Sequence, residues 1–184
     1  MHEELVRQAQ AGDAEAFDSL ARTVGDRCLA IAVRILRDVD LAEDAVQAAL
    51  IVAWTELGAL RDASRFEPWL HRILTNACYA EARRRKRWYE GPRILPVDGE
   101  YARDDYLRVD DRDVLERAFR RLTLQQRAVL VFHHYLGLST AEVAARTGIP
   151  VGTAKSRLHH ATRALRASLE ADARTTAPSK ERPA

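Results

Sequence analysis

Two groups of side chains in this sequence have the chemistry needed to bind a polyanion. The first is an unbroken run of five cations, followed by Trp88 and Tyr89. One or two cations suffice to balance the dipole of a helix C-terminus, whereas five beside aromatic rings favour phosphate contacts and base stacking. A solvated helix end is the alternative interpretation. The run consists of Arg83, Arg84, Arg85, Lys86 and Arg87.

The second group lies on one face of a helix predicted over residues 151–170. At 100° per residue the apolar residues gather on one side, and the opposite side carries hydrogen-bond donors with no carboxylate before Glu170. A solvated helix usually mixes Glu with Lys, so this face favours contact with the major groove of DNA. The donors are Thr153, Lys155, Ser156, Arg157, His159, His160 and Arg163.

The elements before this helix predict a helix-turn-helix unit. Thr123 with Gln126, and Ser139 with Glu142, have the spacing of two capping boxes, and a Gly-Ile-Pro turn at 148–150 precedes the last helix. We therefore expect helices over 123–135, 139–147 and 151–170. An αα-hairpin that serves packing alone has a similar pattern, so the donor face decides in favour of DNA binding.

Four helices are predicted in the first 88 residues. Asp13 is expected to cap the second helix, Asp40 to cap the third, and Pro68 to lie in the first turn of the fourth. Cys28 and Cys78 fall on apolar stripes and are expected in the core. The predicted core stripe of the third helix is Leu41, Ala45, Val46, Ala49, Val52 and Ala53.

An irregular segment over residues 57–67 separates the third helix from the fourth. It carries Arg61, Arg65 and Phe66 close to the basic run. A loop beside a basic helix is where an unstacked base can be held.

The composition indicates an all-α protein with two small helical domains. The 184 residues include only 8 Gly and 6 Pro. Residues 89–113 carry 4 basic and 8 acidic side chains and read as an acidic flexible linker, whereas 114–184 carry 12 basic and 5 acidic. We expect domains at 1–88 and 114–170 and a disordered tail at 171–184.

Several classes of function are disfavoured. No apolar run approaches the roughly 20 residues that span a bilayer and no leading segment resembles a signal peptide, so we expect a cytoplasmic protein without membrane insertion. Two cysteines are too few for a Cys-based zinc site, and adjacent histidines point about 100° apart on a helix. We expect no metal, no cofactor and no enzymatic activity, since neither a phosphate-binding loop nor a catalytic triad pattern is present.

The order of these parts resembles an extracytoplasmic function (group IV) sigma factor of the sigma-70 family. The resemblance rests on DLAEDAVQAALIVAW (40–54), FEPWLHRILTNACYAEARRRKR (66–87), LTLQQRAVLVFHHYLGLSTAEVAARTGIP (122–150) and VGTAKSRLHHATRAL (151–165). It covers about nine-tenths of the chain. It implies a sigma region 2 domain and a sigma region 4 domain, and a function in promoter-specific transcription initiation with core RNA polymerase.

The resemblance also implies roles for individual residues. Asp44 and Gln47 match the surface that binds the clamp helices of the polymerase β′ subunit, and region 4 is expected to bind the β flap. The donor face of the last helix matches the reader of the −35 duplex. The melted −10 strand is expected at Leu60, Arg61, Arg65, Phe66, Asn76 and the run over 83–87.

Other implications concern partners and departures from the family pattern. An anti-sigma factor often holds such proteins inactive, and the acidic linker resembles the segment that threads the polymerase cleft. Leu60 stands where many members have an aromatic residue, which leaves the identity of the −10 base open. Ala48 and Ala49 replace common acidic residues, and Thr123 replaces a common proline. The alternative function is a helix-turn-helix regulator that binds duplex DNA without acting as a polymerase subunit.

Overall fold

The computed structural model describes residues 2–90 and 109–176, which form an all-α structure without a strand in either range. The N-terminal module contains helices α1 (His2–Gln10), α2 (Ala14–Leu36), α3 (Val39–Glu56) and α4 (Phe66–Glu90). Two short 3-10 turns, Leu57–Ala59 and Ala63–Arg65, connect α3 to α4. The predicted fold class is confirmed.

Polar groups fix the ends of the N-terminal helices. The Asp13 carboxylate accepts hydrogen bonds from the backbone amides of Glu15 and Ala16, as the sequence predicts. The third helix begins earlier than expected, because Asp38 rather than Asp40 accepts from the Leu41 amide at 3.0 Å. Arg37, with φ of 60°, provides the left-handed turn that ends α2.

The core of this module is built from the predicted stripes, with one correction. Leu20, Ile31 and Leu74 are fully buried, and both cysteines are free and buried beside them. On α3 the buried residues are Ala42, Ala45, Ala49 and Ala53, whereas Val52 is 38% exposed and does not belong to the core. Small alanines at the buried positions let α3 lie close to α2 and α4.

The C-terminal module contains α5 (Val109–Arg120), α6 (Leu124–Leu130), a π-helical turn (Val131–Tyr135), α7 (Thr140–Thr147) and α8 (Val151–Thr176). Both predicted capping boxes are present, at Thr123 and at Ser139. Gly148, with φ of 69°, ends α7 in the left-handed conformation that glycine tolerates. The predicted helix through residue 135 therefore exists, but its last turn widens into a π-helix.

The domain boundaries shift by several residues. Helix α4 continues to Glu90 and α5 begins at Val109, so both helices extend into the segment that was expected to be linker. Helix α8 continues to Thr176, because the buried Asp172 pairs with Arg121 at 2.8 Å and lies 3.8 Å from Arg117. Residues 171–176 are therefore helical rather than part of a disordered tail. The rest of the predicted linker, 91–108, and of the tail, 177–184, lie outside the described residues.

The two modules pack against each other. Helix α7 lies on α4, and α6 with the π-helical turn lies on α2. The buried residues of both modules form one hydrophobic cluster. In the part of the chain that the structure describes, no helix is long and apolar enough to cross a membrane.

Candidate nucleic-acid interface

Helix α8 presents the predicted donor face to solvent. The side chains of Lys155, Ser156, His159, His160 and Arg163 are exposed on it. The core side holds Ala154 and Ala161, which are fully buried. The apolar residues of this helix are expected on that side, but Val151, the first residue of α8, is 53% exposed and does not belong to the core. The arrangement leaves the N-terminal half of α8 open to a ligand.

Two of the predicted donors of α8 are less accessible than the others. Thr153 is half-buried, and its carbonyl accepts from the Ser156 hydroxyl at 3.1 Å. Arg157 is also half-buried and lies near Tyr79 of α4. Burial raises the pKa of the Tyr79 hydroxyl, and the Arg157 cation offsets part of this rise.

The segment between α3 and α4 is a structured loop with two exposed arginines. The Asp62 carboxylate accepts from the Ser64 amide at 3.0 Å and from the Ser64 hydroxyl at 2.6 Å. These hydrogen bonds, with a smaller effect from the Arg65 cation, lower the pKa of Asp62. Arg61 and Arg65 are exposed beside this turn and can meet phosphates.

The apolar members of the predicted loop site serve packing instead. Phe66 is only 2% exposed and lies 6.1 Å from the Trp69 ring, centroid to centroid. Leu60 packs against the core, and its carbonyl accepts from Gln10 at 2.6 Å. Phe66 is therefore buried in the core, whereas Leu60 is half-buried. Asn76, by contrast, is exposed on α4.

Two of the five cations in the basic run pair with carboxylates of α3 or of its N-cap. Arg84 pairs with Asp44 of α3 at 2.8 Å and with Glu81 at 2.6 Å, and Arg85 pairs with Asp38. Both arginines therefore fasten α4 to the beginning of α3. Arg83, Lys86 and Arg87 are exposed to solvent at the end of α4. The sequence could not reveal the pairing with α3, because Asp44 lies 40 residues from Arg84 and Asp38 lies 47 residues from Arg85.

A second exposed surface lies along α3. Asp44 and Gln47 are exposed one turn apart, as the sequence predicts. Ile51, one turn further along, is 58% exposed and extends this surface with an apolar side chain that the sequence analysis overlooked. The signal was available, since positions 44, 47 and 51 share a face that excludes the alanines of the core.

A groove lies beside the exposed Trp88 at the end of α4. It has a volume of about 490 Å³ and is lined by both charged and apolar side chains. Trp88 itself is 86% exposed, which is unusual for so large an apolar ring. The other lining residues are Asp38, Asp40, Leu41, Arg84 and Arg85.

The adjacent histidines His133 and His134 pack against each other at the end of the π-helical turn. The rings of His133 and His134 lie 4.7 Å apart at 73°, and Nδ1 of His133 lies 2.7 Å from the Leu138 carbonyl. Across residues 2–90 and 109–176, no three His, Cys, Asp or Glu side chains are grouped to hold a metal ion.

Comparison with family models assigns both modules. The model described as sigma-70 region 2 matches residues 20–88, and the model described as sigma-70, region 4 matches residues 112–165. The first range ends at Trp88, directly after the basic run, and the second contains α6, α7 and the first 15 residues of α8.

Curated relatives match over nearly the whole chain. The RNA polymerase sigma-H factor of Pseudomonas aeruginosa is 32% identical over 181 residues, which cover 91% of this chain and 93% of the relative. The ECF RNA polymerase sigma factor SigL of Mycobacterium tuberculosis is 35% identical over 167 residues, covering 87% and 94%. SigW of Bacillus subtilis, also an ECF sigma factor, is 28% identical and covers 92% and 97%.

Two solved structures share the arrangement of helices. CnrH in complex with the cytosolic domain of CnrY matches with a TM-score of 0.67 and 25% identity, covering 93% of this chain and 98% of that one. The sigma factor RpoE in complex with the anti-sigma factor NepR, from Bartonella quintana, matches with a TM-score of 0.65 and 29% identity, covering 86% and 99%.

Proposed function

The chain belongs to the sigma-70 family as an extracytoplasmic function (ECF) sigma factor, and from this premise we propose how its surfaces act in transcription initiation. As a sigma factor it is a transcription initiation factor that works with RNA polymerase. The observation that carries the assignment of surfaces is the donor-rich face of α8, which has no carboxylate before Glu170, in a helix-turn-helix unit whose first two helices begin at capping boxes. We place the protein in the cytoplasm, where polymerase acts on DNA.

The first assignment is that α8 binds the −35 duplex. Ser156, His159 and His160 lie in the N-terminal half of the helix, where a recognition helix meets base edges. Lys155 and Arg163 are exposed at its flanks and suit phosphate contacts. Thr153 and Arg157 have a smaller share in this proposal because both are half-buried.

The second assignment is that the 57–67 loop and α4 bind the melted −10 strand. Arg61, Arg65 and Asn76 are exposed on this side of the module and offer charge and hydrogen bonds to an unstacked strand. Arg83, Lys86 and Arg87 continue the basic surface. The half-buried Leu60 stays a proposed contact at the edge of this surface, whereas the buried Phe66 supports the loop from the core.

The third assignment is that α3 binds core polymerase. We propose that Asp44, Gln47 and Ile51 bind the β′ clamp helices and that the C-terminal module binds the β flap. Ile51 gives this polar surface an apolar side chain that a partner can bury. Reversible association is what an initiation factor needs, and catalysis then remains with the polymerase.

An anti-sigma factor is a further proposed partner. Both solved neighbours named above were determined as complexes, one with an anti-sigma factor and one with a cytosolic domain. Their chains align with this one over most of its length, so the same surfaces are available here.

Run-off transcription with core polymerase on a promoter library tests the proposal. We expect defined transcripts only when this protein and core polymerase are both present. Asp44→Ala should weaken assembly with core polymerase, while Glu43→Ala, an exposed neighbour on another face of α3, serves as the matched control. Specific binding to duplex DNA without polymerase, together with an absence of transcripts, would instead support the helix-turn-helix regulator.

A further inference from the structure

The end of α1 lies against the loop that connects α3 to α4, and one side chain joins them. Nε2 of Gln10 donates to the Leu57 carbonyl at 3.0 Å and to the Leu60 carbonyl at 2.6 Å. A side-chain amide nitrogen carries two protons, so it can donate to both carbonyls at once. Gln10 therefore fastens the first 3-10 turn, Leu57–Ala59, and the residue after it to α1.

Helix α1 is a firm support for this contact. Val6 and Ala9 are buried in the core of the N-terminal module, so the helix cannot shift without exposing apolar surface. Gly12, with φ of 97°, then turns the chain directly into α2. Gln10 is half-buried between these two anchors. Its amide is thus presented to the loop from a fixed place.

The loop has its own hydrogen bonds on either side of Arg61. Before it, the Leu60 amide donates to the Leu57 carbonyl at 3.1 Å, and after it Asp62 accepts from Ser64. Such local bonds set the shape of each turn but not its orientation in the module. Leu60 also packs against the core, but apolar packing is non-directional. The two hydrogen bonds from Gln10 supply the missing direction.

The orientation of this backbone matters for the surface proposed to bind the −10 strand. Arg61 is exposed directly after Leu60, and the half-buried Leu60 lies at the edge of the same surface. The peptide units that Gln10 holds determine the direction in which both side chains leave the backbone. Binding geometry must be kept to within roughly 0.5 Å, so a small rotation of the turn is enough to disturb it.

We propose that Gln10 is a positioning residue, which holds the Leu57 and Leu60 carbonyls and thereby presents Leu60 and Arg61 to a base of the melted −10 strand. This role rests on the −10 function proposed above for the loop. Gln10 acts through the backbone of the loop and not by touching DNA, since its amide is engaged by the two carbonyls. Helix α1 precedes residue 20, where the match to the region 2 family model begins, so that match assigns no role to Gln10.

Hydrogen exchange of the free protein measures the effect on the loop. Gln10→Glu keeps the size of the side chain and removes both donated protons, whereas Gln10→Lys keeps a donor. In Gln10→Glu the backbone amides of residues 57–65 should exchange about tenfold faster, with those of α2 unchanged. Gln10→Lys should stay close to the parent rate. Gln8→Glu, which adds the same charge at an exposed position of α1, is the matched control and should have no effect.

Run-off transcription by holoenzyme measures the effect on base selection. The templates carry each of the four bases at successive −10 positions, and the readout is the ratio of transcript from the preferred base to that from its substitutes. Gln10→Glu should lower this ratio about fivefold at one −10 position and leave the corresponding −35 ratios unchanged. Gln10→Lys should retain most of it. Added charge affects all sequences alike, so the ratio isolates positioning from electrostatics.

The outcomes separate positioning from a merely structural role. An unchanged −10 ratio in Gln10→Glu overturns the proposal, as does an equal fall in Gln8→Glu, in Gln10→Lys or in the −35 ratios. Arg61→Ala tests the proposed function by itself. If Arg61→Ala weakens use of the −10 element while Gln10→Glu leaves the ratio unchanged, only the positioning role is refuted. If Arg61→Ala has no effect, the −10 assignment of the loop fails and the role of Gln10 fails with it.

Discussion

His71 of α4 and Phe132 of the π-helical turn pack with their ring centroids 5.6 Å apart and their planes at 46°. A titratable ring thus forms part of the contact between the two modules. Nδ1 of His71 has no hydrogen-bond partner among the described residues, and the cations Arg27 and Arg146 face the ring from α2 and α7. Cys28 and Glu67 line the small cavity beside it. This environment opposes a positive charge on the imidazole.

The stability of the protein should therefore fall between pH 6.5 and pH 4. Burial, and then the charges of Arg146 and Arg27, lower the pKa of His71 from 6.5 to about 4. The unfolded chain binds a proton in this range that the folded one does not, so His71 favours the folded state above pH 6.5 and loses this effect as the pH falls. The free energy of unfolding, measured with urea, should fall by about 1 kcal/mol per pH unit because of this group.

His71→Gln provides the control for this pH dependence. Glutamine keeps a polar side chain of similar length but does not titrate. The free energy of unfolding of this variant should therefore depend less steeply on pH between pH 6.5 and pH 5, by the contribution of one proton. A variant with the same slope as the parent protein would show that other groups cause the dependence.

Both thiols should resist modification in the native protein. Burial raises the pKa of Cys28 to about 11 and that of Cys78 to about 12, and the thiolate is the reactive form. We expect negligible reaction with a disulfide reagent at pH 8 in buffer and two equivalents in denaturant. Rapid reaction of either thiol with the native protein would mean that the N-terminal core opens far more often than its packing indicates.

The fold was largely predictable from sequence because its signals are local. The two capping boxes, Gly148 and the Asp13 cap involve residues only two to four positions apart, and the structure contains all of them. The site was less predictable because it depends on distant partners. Nothing near Arg84 in the sequence indicates Asp44, and nothing near Arg37 indicates Glu116. The same holds for Asp172, whose pairing with Arg117 of α5 and with Arg121 directly after it stabilises α8 beyond its predicted end.

The basic run combines Arg85, which pairs with Asp38, and Arg87, which is exposed to solvent. This division predicts different effects of substitution at the two positions. Arg87→Ala should weaken binding of any DNA sequence and lower the salt slope by about one unit, with little change in stability, since Arg87 is exposed. Arg85→Ala should instead lower the free energy of unfolding, because Asp38 caps α3 and pairs with Arg85. Urea denaturation and salt-dependent binding separate the two effects. Equal loss of stability in both variants would contradict the division.

Substitutions on the exposed face of α8 should distinguish residues that contact bases from residues that contact phosphates. Ser156→Ala and His160→Ala each remove a donor in the N-terminal half of the helix, so each should cost about 1–3 kcal/mol on the preferred −35 sequence and relax selectivity at one position. Arg163→Ala removes a charge one turn further along and should weaken all sequences alike while lowering the salt slope by about one unit. Holoenzyme binding to a series of −35 variants, at two salt concentrations, measures both quantities. Since Ala167 is exposed on the same helix beyond this region, Ala167→Ser is the matched control and should leave affinity and selectivity unchanged. If Ser156→Ala and His160→Ala lose affinity uniformly across sequences, this face only holds the DNA backbone, and the bases are read elsewhere.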